Sequence, residues 1–113
     1  MQTLIVVSQA PYKESSLAAF EFGKALLQAK HTLSQVFFTQ DGVLHSSKNY
    51  LPEEPFPNLK KLWQDLSVQH KFPLVVCKNS VMWRGIVPDD SFSQLGMSHL
   101  FSSCDSIEKV IRF

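Results

Sequence analysis

Leu4-Ile5-Val6-Val7 is an unbroken apolar run, the pattern of a short strand covered on both faces. Ser8-Gln9-Ala10-Pro11-Tyr12 breaks it. Leu17, Phe20, Phe22, Ala25, Leu26 and Ala29 then recur at roughly helical spacing, so a helix is predicted to about Lys30. Ser15 or Ser16 is its expected N-cap. Leu33 to Thr39, centred on Val36-Phe37-Phe38, reads as a second strand, and Gln40-Asp41-Gly42 as a turn. Residues 43–57, with Pro52, Pro55 and Pro57, read as a loop without a regular element. Asn58 is placed to cap a second helix whose apolar stripe is Leu59, Leu62, Trp63 and Leu66.

Pro73 to Cys77 is a third apolar strand, followed by a short helical segment through Val81-Met82-Trp83-Arg84 and closed by Gly85. Pro88-Asp89-Asp90-Ser91 is expected to open another helix, with Ser91 and Gln94 as a capping box and Phe92, Leu95 and Leu100 as its apolar residues. Lys109 to Phe113 is the last strand. Strands alternating with helices favour right-handed crossovers. The expectation is an α/β fold: one domain over residues 1–113, a mostly parallel sheet, and helices on both faces in flavodoxin-like layering.

Composition narrows the function classes. The 113 residues carry 11 Lys and Arg against 10 Asp and Glu, a net charge of +1 that gives no electrostatic footprint for nucleic acid or an anionic membrane. Only 19% of residues are charged, below the ~25% usual in soluble domains, which fits a surface partly covered by other subunits. No apolar run approaches the roughly 18 residues that span a bilayer. The opening residues lack the basic flank of a signal peptide. Two cysteines are too few for a disulfide framework, so the expected setting is soluble, reduced and cytoplasmic.

In an open α/β sheet the functional crevice lies at the carboxyl ends of the strands. Cys77 ends the third strand directly before a helical turn, whose N–H groups and dipole favour a thiolate, and Lys78 adds positive charge. The same place also suits a small buried residue closing an apolar strand. Cys104 stands beside Asp105, which disfavours its thiolate; it reads as incidental, or as a resolving partner if the fold brings it near Cys77.

His31, His45, His70 and His99 show no metal-ligand spacing with each other or with a cysteine, so no metal or cofactor is expected. His31 and His70 end helices, where they serve structure. His45 lies in the loop at the reactive edge and is the one histidine placed to approach Cys77. Hydroxyls in Ser8 to Ser16 could face a phosphate, but the loop is poor in glycine and carries Glu14, which favours an ordinary turn. Phe37, Phe38 and Trp63 read as core; Trp83, beside Cys77, reads as core or as a subunit contact.

Three stretches resemble the DsrE-like sulfur-relay family, and within it the TusD-type sulfurtransferase subunits: LIVVSQAPYKESSLAAFEFGKALLQAKHTLSQVFFTQDGV, LVVCKNSVMWRGIV and CDSIEKVIRF. The cysteine segment is the most informative. The resemblance implies that Cys77 accepts sulfur as a persulfide and passes it to a downstream carrier, feeding thiolation of the tRNA wobble uridine. In some relatives the same chemistry serves sulfur oxidation. It also implies donor and acceptor carrier proteins as partners, and related DsrE-like subunits in a hexamer-type assembly. Against the family pattern, the segment from Pro88 to Cys104 is shortened and the loop 43–57 has its own proline-rich sequence. The other reading is a non-catalytic structural subunit of such an assembly.

Overall fold

The computed structural model describes residues 2–50, 52, 57–96, 107 and 109–113. In chain order these form β1 (Gln2–Val7), α1 (Glu14–Gln28), β2 (Thr32–Phe38), a 3-10 helix (Gln40–Ser46), α2 (Leu59–His70), β3 (Leu74–Cys77), α3 (Lys78–Trp83), β4 (Phe92–Leu95) and β5 (Lys109–Arg112). The sheet has the order β4-β3-β2-β1-β5, and every pairing is parallel. The α/β architecture expected from the strand–helix alternation is the one observed.

Alternation along the strands divides the core in two. Ile5, Val7, Val36, Phe38, Leu74, Val76 and Phe92 face α1 and α2 and share their core. Trp63 of α2 is fully buried there, edge-on to Phe20 at 5.1 Å and to Phe38 at 6.1 Å between centroids. Gly23 lets α1 come this close: a Cβ at that position would stand 3.1 Å from the Trp63 ring. Leu4, Val6, Phe37, Val75 and Cys77 line the opposite face, with Leu95 and Ile107 packed against them. Burying side chains on both faces explains why β1 and β3 read as continuous apolar runs rather than alternating ones.

Three local expectations need correction. Residues 92–95 are not the start of a helix but the edge strand β4, in register with β3 from Leu74↔Phe92 to Cys77↔Leu95. The spacing of Phe92 and Leu95 suits either element, and pairing with β3 decides it. Ser91 therefore caps nothing with Gln94; its hydroxyl accepts a hydrogen bond from Gln64 Nε2 at 2.7 Å. The remainder of that expected helix, including Leu100, lies outside the described residues. Second, Gln40–Ser46 is a 3-10 helix rather than a turn running into an irregular loop. Third, α1 begins at Glu14, and the fully buried Ser16 sends its hydroxyl back to the carbonyls of Gln9 and Ala10 at 2.9 and 2.8 Å. Asn58 does cap α2, accepting from the Lys61 N–H at 3.1 Å. Among the described residues no helix is long and apolar enough to cross a membrane.

Candidate functional site

The register that aligns Phe38 with Val76 carries the chain one residue further on each side, setting Thr39 beside Cys77 at the carboxyl edge of the sheet. The chain then turns sharply. Thr39 N–H donates to the Val7 carbonyl at 3.0 Å, and Gly42 N–H donates to the Thr39 carbonyl at 2.9 Å. A Cβ on Gly42 would lie 2.1 Å from the Val7 carbonyl oxygen, so this crossing of β1 admits glycine alone. Gln40, at the apex, is left-handed with φ 51°, and its N–H donates to Ser80 Oγ at 3.0 Å.

One ion pair and further polar contacts tie the same turn to the end of α3 and to β5. Arg84 Nε donates to Asp41 Oδ1 at 3.1 Å while its Nη1 donates to the Ser80 carbonyl at 3.3 Å. Arg112 Nη2 of β5 donates to Gln40 Oε1 at 3.1 Å.

Cys77 is a free cysteine, 4% exposed, standing immediately before α3 with φ −68° and ψ 118°. Burial works to raise its thiol. The polar groups of Ser80, Asn79 and Thr39 around the sulfur outweigh that and hold the thiol below its ordinary value. Thr39 and Ser80 escaped sequence reading; the available clue was a serine in the first turn after the cysteine, at the position that faces back toward it.

His45 does not join Cys77. Its ring is fully buried on the α1/α2 side, stacked on Phe38 with 5.0 Å between centroids, whereas Cys77 packs on the other side of the sheet. Burial depresses His45 to about 4, although its bond to the Gly42 carbonyl acts the other way. His31 and His70 are exposed, just after α1 and at the last position of α2. Cys104 and His99 lie outside the described residues. Among the described residues no group of three or more His, Cys, Asp or Glu could hold a metal ion.

Two hydroxyls of the first loop are committed to backbone: Ser8 Oγ donates to the Phe113 carbonyl at 2.6 Å, and Ser16 to the loop carbonyls described above. Phe37, Phe38 and Trp63 are core, each no more than 1% exposed, whereas Trp83 is 73% exposed and its neighbour Met82 65%.

Comparison with known proteins agrees with this architecture. A crystal structure of the ychN protein from E. coli superposes with a TM-score of 0.80 over the whole of both chains, at 24% identity, a likeness of fold. Among curated proteins, the chain is 36% identical over 96 residues to a sulfurtransferase TusD homolog of Vibrio cholerae, covering 85% of this chain and 73% of that one. It is 32% identical to a sulfurtransferase TusD of Buchnera aphidicola over an alignment of 128 residues that covers both chains completely. The family model described as DsrE/DsrF-like matches residues 1–113. Matched along its whole length and sharing about a third of its positions with these relatives, the chain belongs to the DsrE/DsrF-like family.

Proposed function

We propose that this chain is a sulfur-relay sulfurtransferase subunit in which Cys77 carries the transferred sulfur. The observation that carries the reading is the place of Cys77 at the end of β3, directly before α3 and beside Thr39, in surroundings that hold its thiol below the ordinary value. Support comes from relatives named sulfurtransferase TusD at 32–36% identity. The Cys77 thiolate attacks the outer sulfur of a donor persulfide; a new S–S bond forms at Cys77, the donor's S–S bond breaks, and the donor leaves as a thiolate. An acceptor thiolate then attacks the outer sulfur on Cys77, which departs as thiolate in turn. No net oxidation occurs. The surroundings that stabilise the Cys77 anion serve it as nucleophile and again as leaving group.

By resemblance to the TusD type, the relayed sulfur is destined for tRNA wobble-uridine thiolation. The partners are donor and acceptor carrier proteins and related subunits, and the exposed Met82 and Trp83 beside the site offer them apolar contact.

Intact-protein mass spectrometry tests the reading. The chain is incubated with a cysteine desulfurase, its sulfur-carrier protein and cysteine. Wild type should gain sulfur that a reducing agent removes, and Cys77→Ser should gain none; equal gain by both would remove Cys77 from the role. One observation favours a second reading, a non-catalytic structural subunit: Cys77 is only 4% exposed. That reading gains if wild type takes up no sulfur even when candidate partner subunits are supplied.

A further inference from the structure

A short helix packed on a sheet normally turns its large apolar side chains inward, and α3 does not. It buries Ser80 and Val81 and leaves Lys78, Asn79, Met82 and Trp83 outward. Residues three and four apart share a helix face, so these four form one strip, polar at the Cys77 end and apolar at the other. Trp83 is 73% exposed and Met82 65%, and just beyond them Val87 is 58% exposed. Their backbone is fixed. The N–H groups of Arg84 and Ile86 both donate to the Val81 carbonyl, Gly85 N–H donates to that of Met82, and Lys48 N–H donates to the Val87 carbonyl at 2.9 Å. Trp and Met held out to water on a rigid frame, with Arg84 at the rim, have the composition of a protein contact.

We propose that this strip is the docking track for the protein that exchanges sulfur with Cys77, and that the partner presents its cysteine on an extended, acidic segment with an apolar side chain about three residues from the sulfur. The inference rests on the sulfur-carrier reading of Cys77 and adds the chemistry of the partner. From Cys77 to Trp83 the helix climbs about 9 Å, at about 1.5 Å per residue. An extended chain covers that distance in about three residues. The segment is extended because Cys77 is 4% exposed, and a single strand is slim enough to enter where a folded surface is not. It is acidic because the unmatched charge at this edge is positive. Lys78, exposed beside Cys77, makes no ion pair among the described residues, Arg84 is matched by Asp41, and Arg112 bonds the neutral Gln40. A permanent subunit seated on the strip would block the way to the sulfur, so the contact is transient.

The probes are short synthetic peptides whose single cysteine is a mixed disulfide with thionitrobenzoate. The Cys77 thiolate attacks the peptide sulfur, a new S–S bond joins the peptide to Cys77, and thionitrobenzoate leaves as a coloured thiolate. The full chain is used in a Cys104→Ser background, so that Cys77 alone reports. Each rate is divided by the same protein's rate with the thionitrobenzoate disulfide of mercaptoethanol, which cancels changes in Cys77 reactivity. By this ratio an acidic peptide with leucine three residues from the cysteine should react about tenfold faster than one with the leucine adjacent or replaced by serine. Trp83→Ala should erase that advantage, and Val68→Ala, at an exposed residue of α2, should keep it. Lys78→Glu should remove the preference for acidic over basic peptides, a preference that fades with salt. Peptides with serine for cysteine dock without reacting and should protect Trp83 from iodide quenching; the Trp83→Ala protein, in which the buried Trp63 alone emits, is the blank.

Equal ratios for every leucine position would overturn the proposal. So would a Trp83→Ala protein that keeps the preference, faster reaction of the basic peptides, or no protection of Trp83 by the acidic leucine peptide. A homo-oligomer in which iodide cannot reach Trp83, and which Trp83→Ala dissociates, would also overturn it, since the strip would then be a subunit contact. The two readings fail separately. Protection of Trp83 with no sulfur uptake on Cys77 would sink the carrier role and leave the strip as a peptide-docking face, and sulfur uptake with flat peptide ratios would do the reverse.

Discussion

His45 Nδ1 lies 2.8 Å from the carbonyl oxygen of Gly42. The carbonyl can only accept, so the buried ring carries a proton on Nδ1, and at neutral pH its depressed proton affinity leaves it no second one. Its proton affinity is set by burial, which lowers it from 6.5 to about 4. The folded state thus refuses a proton that the unfolded chain accepts. Stability is complete above pH 6.5 and declines as pH falls toward 4, by up to about 3 kcal/mol across that window. Urea unfolding of wild type and His45→Gln at a series of pH values checks this. The Gln variant, whose amide can still donate to Gly42, should lack that slope.

The two glycines flanking the site are needed for different reasons. Gly42 has no room for a Cβ, which would meet the Val7 carbonyl oxygen at 2.1 Å, whereas a Cβ on Gly85 would find open space and only its φ of +63° is restrictive. Gly42→Ala should cost about 2–3 kcal/mol by forcing the 3-10 helix off β1. Gly85→Ala should cost about 1 kcal/mol, and Gly85→Asn less, because asparagine tolerates the left-handed region. Denaturant midpoints rank the three.

Both long helices end on a left-handed lysine, Lys30 at φ 65° after α1 and Lys71 at φ 59° after α2. At each end the following N–H reaches back five residues, from His31 to the Leu26 carbonyl and from Phe72 to the Ser67 carbonyl. Glycine is the residue these endings favour. Lys30→Gly and Lys71→Gly should each stabilise the fold by about 0.5–1 kcal/mol, the relieved strain exceeding the added chain entropy. Thermal unfolding should show a rise for each, nearly additive in the double variant.

Lys60 Nζ bonds both Asp89 Oδ2 and the Ser47 carbonyl, each at 3.0 Å. The Lys60 ammonium holds the Asp89 carboxyl below its ordinary 3.8. A depressed carboxylate stabilises the fold at higher pH and loses that contribution as pH falls through the folded value. The Asp89 side chain is 37% exposed, so water screens the pair and Asp89→Asn should cost less than about 1 kcal/mol at neutral pH. The difference from wild type should shrink in salt and vanish in acid.

Periodicity located β1, β2, β3, β5, α1 and α2 because each is fixed by its own apolar residues. It missed β4, whose Phe92 and Leu95 fit a helix as well, because an edge strand exists only through its neighbour, here the β3 register from Leu74 to Cys77. It missed the 3-10 helix because the close approach of Gly42 to Val7 is a tertiary event. Cys77 was legible as a candidate from a local pattern, a strand end followed by a helical turn. The groups around it were not, since Thr39 is set beside it by the β2–β3 alignment and the Gln40 N–H reaches Ser80 from a different loop. His45 shows the limit from the other side. It belongs to the correct edge of the sheet and the wrong face, and a sequence records the first more readily than the second.

The pairing of β5 with β1, from Thr3↔Lys109 to Val6↔Arg112, sets an order of events for a chain emerging from a ribosome. β1 through β4 are made in the order in which they lie side by side, so each can add to the one before it. The other edge of β1 waits for residues about a hundred positions later. Until 109–112 are synthesised, the nascent chain presents the open backbone of Thr3 to Val6 as a template for any extended peptide nearby, and a chaperone or a neighbouring nascent chain meets that edge before its own β5 does.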